Sequence, residues 1–353
     1  MTTPQVSLGG EAHAIKIGQI GYGLMGLTWR DASTFPSDES AFAVMKQSVD
    51  AGCTLWDAGA FYGPPTHSDA NLTLVRRFFE KYPDYKERVV LCVKGGIVMD
   101  TYREKGMPGL APDMSEDNLR NDLREIREAL GSDQGGHDVD LYEVCRIDKR
   151  HTTEQWMKTL LKLRSEGLFK HIALSEVGAQ TIRDAAAVGP VSAVEIEFSP
   201  WELEAEKNGV IEACESLQIP ILAYSPVGKG MLTGAIKSRD DIPKGDIRLH
   251  QDRFSEENFD KNIRLGQAFQ DLAQRKGCTA AQLVLAWNIA RNPSIMVPIP
   301  GSTNVGRAKE NAESVKVKVT DEDDKSIRDI LETMGVAGGR YSAVIRAHGS
   351  LWA

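Results

Sequence analysis

Eight times along the chain a short apolar run gives way to a helical pattern. The runs are Ile15–Ile20, Thr54–Asp57, Val89–Lys94, Asp140–Cys145, His171–Ser175, Ala193–Phe198, Pro220–Tyr224 and Ile295–Ile299. Several are apolar at consecutive positions (Val-Val-Leu-Cys-Val, Ile-Met-Val-Pro-Ile), which is how strands covered on both faces read. The stretches between them carry helix ends. Ser115 caps a face of Leu119, Leu123, Ile126 and Leu130, with Gly131 following. Thr152 and Gln155 form a capping-box pattern ahead of Trp156, Leu160 and Leu163, with Gly167 beyond. Val210, Ile211, Cys214 and Leu217 make another face, stopped by Pro220. Gly277 ends a helix over 263–276, Thr279 caps the next with Leu283, Val284 and Trp287, and Thr320 starts a last one through Ile327, Ile330 and Leu331.

Eight β-then-α units without a Ser- or Pro-rich linker predict an α/β chain folded as a single (β/α)8 TIM barrel. One domain then spans 1–353, with the barrel over 14–334 and a C-terminal tail over 335–353. Two connections are long, Gly95 to Asp113 and Pro226 to Asn258. In a barrel both lie at the C-terminal face of the strands, where binding loops sit. The Gly-rich tail, with Arg340, Tyr341, His348 and Trp352, either covers this rim or packs elsewhere on the surface.

A competing fold has to be weighed. Gly21-Tyr22-Gly23-Leu24-Met25-Gly26 is a literal G-x-G-x-x-G after a strand. A dinucleotide fingerprint needs a helix opening at its last glycine and an acidic residue ~20 positions on. Here helical periodicity resumes only near Asp38 and Asp57 comes later still, so the barrel is preferred to a two-domain Rossmann dehydrogenase.

The charge balance excludes whole classes of partner. Fifty Asp and Glu against 42 Lys and Arg give a net charge of −8, unlike a surface built for nucleic acid or an anionic membrane. No apolar run approaches the ~18 residues of a membrane span, and Met1–His13 has no leader pattern. The five cysteines, Cys53, Cys92, Cys145, Cys214 and Cys278, form no CxxC pair, so neither a metal site nor a disulfide framework is indicated. The expectation is a reduced, soluble, cytoplasmic protein, with the oligomeric state left open.

Residues that end barrel strands share one pocket, and here the second strand delivers Asp57 and Tyr62 while the third delivers Lys94. Singly, Asp57 reads as a turn cap, Tyr62 as rim packing and Lys94 as a solvated strand end. Together they make an acid–base unit. A phenol ionises near pH ~10, a neighbouring ammonium lowers that value, and Asp57 keeps the ammonium charged and aimed. Such a unit suits carbonyl reduction or alcohol oxidation.

At this point the chain resembles the aldo-keto reductases. Trp56-Asp57-Ala58-Gly59-Ala60-Phe61-Tyr62-Gly63 followed by Lys94 carries the resemblance. So do Ala223-Tyr224-Ser225-Pro226-Val227-Gly228-Lys229-Gly230, and Pro298-Ile299-Pro300-Gly301-Ser302 continuing to Arg307, Glu310 and Asn311. Leu174-Ser175-Glu176-Val177 and Val194-Glu195-Ile196-Glu197-Phe198-Ser199-Pro200-Trp201 look most like the pyridoxal reductase group.

The resemblance implies hydride transfer from NADPH bound without a Rossmann fold. It makes Tyr62 the proton donor, with Lys94 and Asp57 its partners. The backbone of Gly23, Leu24 and Met25 would approach the coenzyme, and Tyr224 would stack on the nicotinamide. Ser175, Glu176 and Glu195 would meet the carboxamide, the last two standing where many relatives carry amides. Ser225, Pro226, Gly228 and Gly230 would hold the pyrophosphate. Gly301, Ser302, Thr303 and Arg307 would hold the 2′-phosphate, with Glu310 and Asn311 on the adenine. Trp29 reads as a substrate wall or as plain packing.

One departure concerns the chemistry. Relatives commonly end the fourth strand with His-Arg, a small apolar residue and Asp, whereas this chain reads Cys145-Arg146-Ile147-Asp148. A thiol in the histidine place polarises a carbonyl weakly and leaves room for a bulky substrate. His151 lies close enough in sequence to reach back. The expected activity is reduction of a small aldehyde, with pyridoxal to pyridoxine as the substrate pair. The alternatives are a general aldehyde/ketone reductase and a coenzyme-binding regulatory barrel with weak or no turnover.

Overall fold

The computed structural model describes residues 3–243 and 246–341, so His348 and Trp352 lie outside the described residues. Eight strands make the central sheet: β1 Tyr22–Gly23, β2 Leu55–Gly59, β3 Val90–Gly95, β4 Leu141–Val144, β5 His171–Ser175, β6 Ala193–Glu197, β7 Ile221–Tyr224 and β8 Met296–Pro298. Each pairs in parallel with its neighbour in the chain. The sheet then curls until its ends meet. Gly21 N donates to Pro298 O at 2.9 Å, and Gly23 bridges Gly301 in parallel. That seam requires glycine on both sides. A Cβ on Gly23 would lie 3.0 Å from the Ile299 carbonyl oxygen, and one on Gly301 3.0 Å from that of Gly23.

The expected helices form with the expected ends. Glu116–Leu130 is capped by Ser115 and stopped by left-handed Gly131. Thr153–Ser165 and Ala280–Arg291 both start in complete capping boxes. Glu256–Lys276 begins earlier than its periodicity suggested, because Glu256 and Glu257 fill a polar first turn behind Ser255.

The first strand is corrected. Ile15–Ile20 does not line the barrel; Lys16–Gly18 instead pairs antiparallel with Gln5–Ser7. This hairpin plugs the barrel floor, where Val6, Leu8, Ala12 and Ile17 pack against Leu55, Cys92, Leu141, Ala173, Ala193, Leu222 and Val297. Fully burying an aliphatic side chain of this size contributes about 1.5–3 kcal/mol. The run is therefore apolar for a reason other than barrel membership. The Rossmann alternative falls with the closed sheet: only one helical turn, Met25–Thr28, follows the glycine pattern.

Strand periodicity then places the chemistry. Side chains two apart share a face, so one layer above the floor come Asp57, Lys94, Glu143, Ser175, Glu195 and Tyr224. The long connections rise around this layer. The first carries the helix Met99–Lys105, the second a series of short 3-10 turns. Among the described residues no helix is long and apolar enough to cross a membrane.

Candidate active site

Lys94 is the hub of the polar layer. Its ammonium bonds Asp57 Oδ1, lies 2.5 Å from Glu195 Oε2 and sits 3.4 Å from Glu143 Oε1. All four side chains are buried. One cation therefore serves three carboxylates. Burial alone would pull the ammonium down, but the charges of Asp57, Glu143 and Glu195 together hold it well above its usual range. The carboxyl groups respond in kind. Burial lifts Glu143 to about 7 against the pull of Lys94. Burial raises Asp57, again opposed by Lys94. Glu195 is raised well above its ordinary value by burial and by the charges of Asp57 and Glu143. Burial thus works against full ionisation of the carboxyl groups, and the Lys94 charge works for it. Asp57, Cys92 and Glu143 also bring donor atoms within 4.8 Å of one another, but the Lys94 ammonium already pairs with these carboxylates.

Tyr62 stands over this layer, with Lys94 Nζ 5.6 Å from its ring centre. The expected lowering of its pKa is not found. Burial pushes the phenol well above its usual range and the Asp57 charge adds to this, while Lys94 pulls down and loses. Burial is the larger effect, and the pull of the ammonium is also shared among Asp57, Glu143 and Glu195. Trp29 lies nearly parallel to the Tyr62 ring, with centroids 5.3 Å apart, and Phe61 meets both rings edge-on. The Trp29 indole N–H donates to Tyr102 Oη at 3.2 Å, so Tyr102 belongs to the same wall although the sequence did not single it out.

Cys145 lies at the end of β4 with its thiol raised to about 11, chiefly by burial. The Arg146 guanidinium turns back over it, donating to the Cys145 carbonyl at 2.5 Å, reaching Sγ at 3.7 Å and Ser175 Oγ at 3.4 Å. His151 does not reach the pocket; its Nε2 stays 3.7 Å from Asp148.

The expected carboxamide group is divided. Ser175 is buried, and Glu176 follows it in the left-handed region at φ 56°. Glu176 Oε1 accepts from Glu197 N at 3.0 Å, while Oε2 is buried without a hydrogen-bond partner. Glu195 instead points its carboxylate at Lys94. Tyr224 is half-buried, and its hydroxyl bonds Arg340 and Tyr341 at the end of the described chain.

Two backbone features fit a dinucleotide. After β7, Ser225, Gly228, Lys229 and Gly230 all have positive φ, between 49° and 94°, a tight turn of the kind in which successive peptide N–H groups can cradle an anion. Beyond β8, Gly301, Thr303 and Arg307 are exposed and Ser302 partly so, at the start of the helix Val305–Ala312. The Arg307 guanidinium has no ion pair or hydrogen bond among the described residues, at a helix N-terminus suited to phosphate. Glu310 and Asn311 are partly exposed on that helix, and Gly23, Leu24 and Met25 lie across the closing seam. These residues fit the NADPH that the resemblance implies, and the Arg307 guanidinium offers a cation to a phosphate.

Sequence reasoning missed Glu143 as a member of the site. The signal was available: from β2 to β7 the inward position two beyond a floor residue is polar or tyrosine, and Glu143 is the member two beyond Leu141.

Comparison with known proteins agrees with this geometry. The profile of the Aldo/keto reductase family matches residues 19–332. "Probable pyridoxal reductase 2" of Schizosaccharomyces pombe is 35% identical over 337 residues, covering 94% of this chain and 96% of that protein. "Aldo-keto reductase yakc [NADP(+)]" of the same organism is 39% identical over 328 residues, 91% of each chain. The solved glycerol dehydrogenase of Gluconobacter oxydans shares the fold, with a TM-score of 0.78 at 20% identity over 95% of this chain and 97% of that one. The chain belongs to the aldo/keto reductase family, and is an NADP(H)-dependent oxidoreductase acting on carbonyl and CH–OH groups.

Proposed function

We propose that the chain reduces an aldehyde to its primary alcohol, with pyridoxal to pyridoxine as the reaction it is built for. The observation that carries this reading is the buried Lys94 cluster directly beneath the Tyr62 ring. When bound, NADPH supplies the hydride that adds to the carbonyl carbon. Tyr62 gives its phenolic proton to the carbonyl oxygen, so aldehyde, hydride and proton balance to the alcohol. Because burial holds the phenol protonated, it is loaded for donation, and the alkoxide it meets is the stronger base.

Around that centre, Tyr224, Ser175 and Glu176 take the nicotinamide end of the coenzyme. The turn Ser225–Gly230 takes the pyrophosphate, and Ser302, Thr303 and Arg307 take the 2′-phosphate, with Glu310 and Asn311 by the adenine. Trp29 offers a flat wall to an aromatic aldehyde, and Cys145 leaves space where a histidine ring would stand. The name of the pyridoxal reductase relative supports the substrate.

A panel of aldehydes that includes pyridoxal, run with NADPH and NADH side by side, tests the reading. The expected result is highest kcat/KM for pyridoxal with NADPH. Equal turnover of unrelated aldehydes would make the chain a general carbonyl reductase. No turnover with tight NADPH binding would make it a coenzyme-binding barrel.

A further inference from the structure

After the last helix, Asp321–Met334, the chain turns at Gly335 and crosses the barrel rim. Two anchors fix its course. Asn262, fully buried on the helix Glu256–Lys276, accepts from Ala337 N at 3.0 Å and donates to Ala337 O at 2.9 Å. Gly338 passes at φ 87° so near the loop that a Cβ would lie 3.0 Å from Arg253 N, and Gly339 N donates to Asp252 Oδ2 at 2.6 Å. The arm is thus held by the long connection after β7 and by the helix that follows it. It delivers Arg340 into the mouth.

Arg340 is buried there, and one guanidinium joins three strand ends. Nε donates to Glu197 Oε2 at 2.7 Å, and Nη2 donates to Tyr224 Oη at 2.8 Å and to Glu176 Oε1. Glu197 ends β6, Glu176 follows β5 and Tyr224 ends β7. The Tyr224 hydroxyl also bonds the Tyr341 hydroxyl at 2.7 Å. The Arg340 guanidinium lies 5.1 Å from the Tyr341 ring centre and Lys229 Nζ 5.5 Å from it. Glu197 is held down at about 2, burial being overcome by Lys229 and Arg340. A planar fork of donors is suited to bridging acceptors in this way, and a lysine is not.

We propose that Arg340 is a positioning residue for the nicotinamide half of the coenzyme, acting through Tyr224 and Glu176. This rests on the reading of those two residues as nicotinamide contacts. A tyrosine ring that stacks on a ligand must keep its plane, and a hydroxyl held by two partners resists rotation. Glu176 is held in the same way, its Oε1 on Arg340 and its Oε2 left for a ligand donor. Without the guanidinium, Tyr224 turns more freely, and the mouth retains two buried carboxylates with Lys229 3.4 Å from one of them. The arm is then a working part of the coenzyme site, though it comes from outside the strand-and-helix repeat.

The test compares two ligands that share the adenosine end. NADPH carries the nicotinamide, and 2′,5′-ADP does not. Arg340→Met should weaken NADPH binding about tenfold, the loss of one charge-assisted contact, and leave 2′,5′-ADP within about twofold of the parent. Arg340→Lys, which keeps charge but not the fork, should fall between. Should Arg340→Met fail to fold, the Arg340→Lys comparison decides alone. NADPH binding equal to the parent, or equal losses for both ligands, would overturn the proposal in favour of a staple for the arm. Tyr224→Ala separates the underlying reading: unchanged NADPH binding there means the nicotinamide does not rest on Tyr224. Weakened binding there beside an unaffected Arg340→Met leaves that reading standing and removes Arg340 alone.

Discussion

Lys94 Nζ and Glu195 Oε2 lie 2.5 Å apart across the barrel, although 101 residues separate them in the chain. That contact makes the surroundings of Tyr62, the proposed proton donor, more acidic in composition than an Asp–Lys–Tyr trio alone. The Glu195 charge raises the Tyr62 phenol, as the Asp57 charge does. Removing it with Glu195→Gln lowers the pH at which Tyr62 ionises. The alkaline limb of the reduction profile, where the proton is lost, should therefore move to lower pH. A pH series of kcat/KM measures this; a limb that stays in place or moves to higher pH contradicts the assignment.

Asp122 gives a stability prediction with a definite sign. Its carboxyl is buried, accepts from Tyr142 Oη at 2.6 Å and Gly96 N at 2.8 Å, and is raised to about 6 mainly by burial. A group whose native value lies above its unfolded value costs stability as pH rises from the unfolded value through the native one. For Asp122 that window runs from about 4 to 6, and the cost approaches about 3 kcal/mol above it. In Asp122→Asn the pH-dependent part disappears. Urea unfolding at pH 4, 5, 6 and 7 should show the variant gaining on the parent across this window and then levelling. A constant difference would place the ionisation elsewhere.

The thiols should be sluggish. Burial pushes Cys53 and Cys214 to about 12 and Cys145 to about 11, and raises Cys92 and Cys278 as well. The thiolate is the reactive form. Iodoacetamide at pH 7.5 should thus alkylate the folded protein far more slowly than it alkylates a free thiol, with activity retained meanwhile. Fast inactivation traced to Cys145 would show a thiolate there and give it a chemical role.

How far the sequence could be read depended on how local each feature is. Asp57, Tyr62 and Lys94 were legible because strand ends of a barrel converge, so apolar runs followed by polar tips locate the pocket. Helix ends were legible because Ser115, Thr152, Thr279 and Gly131 act within one turn. The run Ile15–Ile20 misled, since burial in a floor hairpin and burial in a barrel strand both call for apolar residues. The behaviour of Tyr62 was misjudged because counting one lysine left out the burial of the phenol and the carboxylates Glu143 and Glu195, which meet Lys94 only once the sheet closes. The partners of Arg340 lay further off: Glu197 is 143 residues away and Tyr224 is 116, and no spacing rule connects them.

The proposed role of Tyr62 as proton donor is tested most directly by a single-turnover experiment. Enzyme preloaded with NADPH is mixed with pyridoxal, and coenzyme absorbance is followed through one turnover in the parent and in Tyr62→Phe. In Tyr62→Phe, NADPH binding by fluorescence titration should stay near-parental and the hydride-transfer rate should fall by about 10²–10⁴-fold, the usual worth of a positioned acid. A variant that oxidises its bound NADPH at the parental rate would contradict that role.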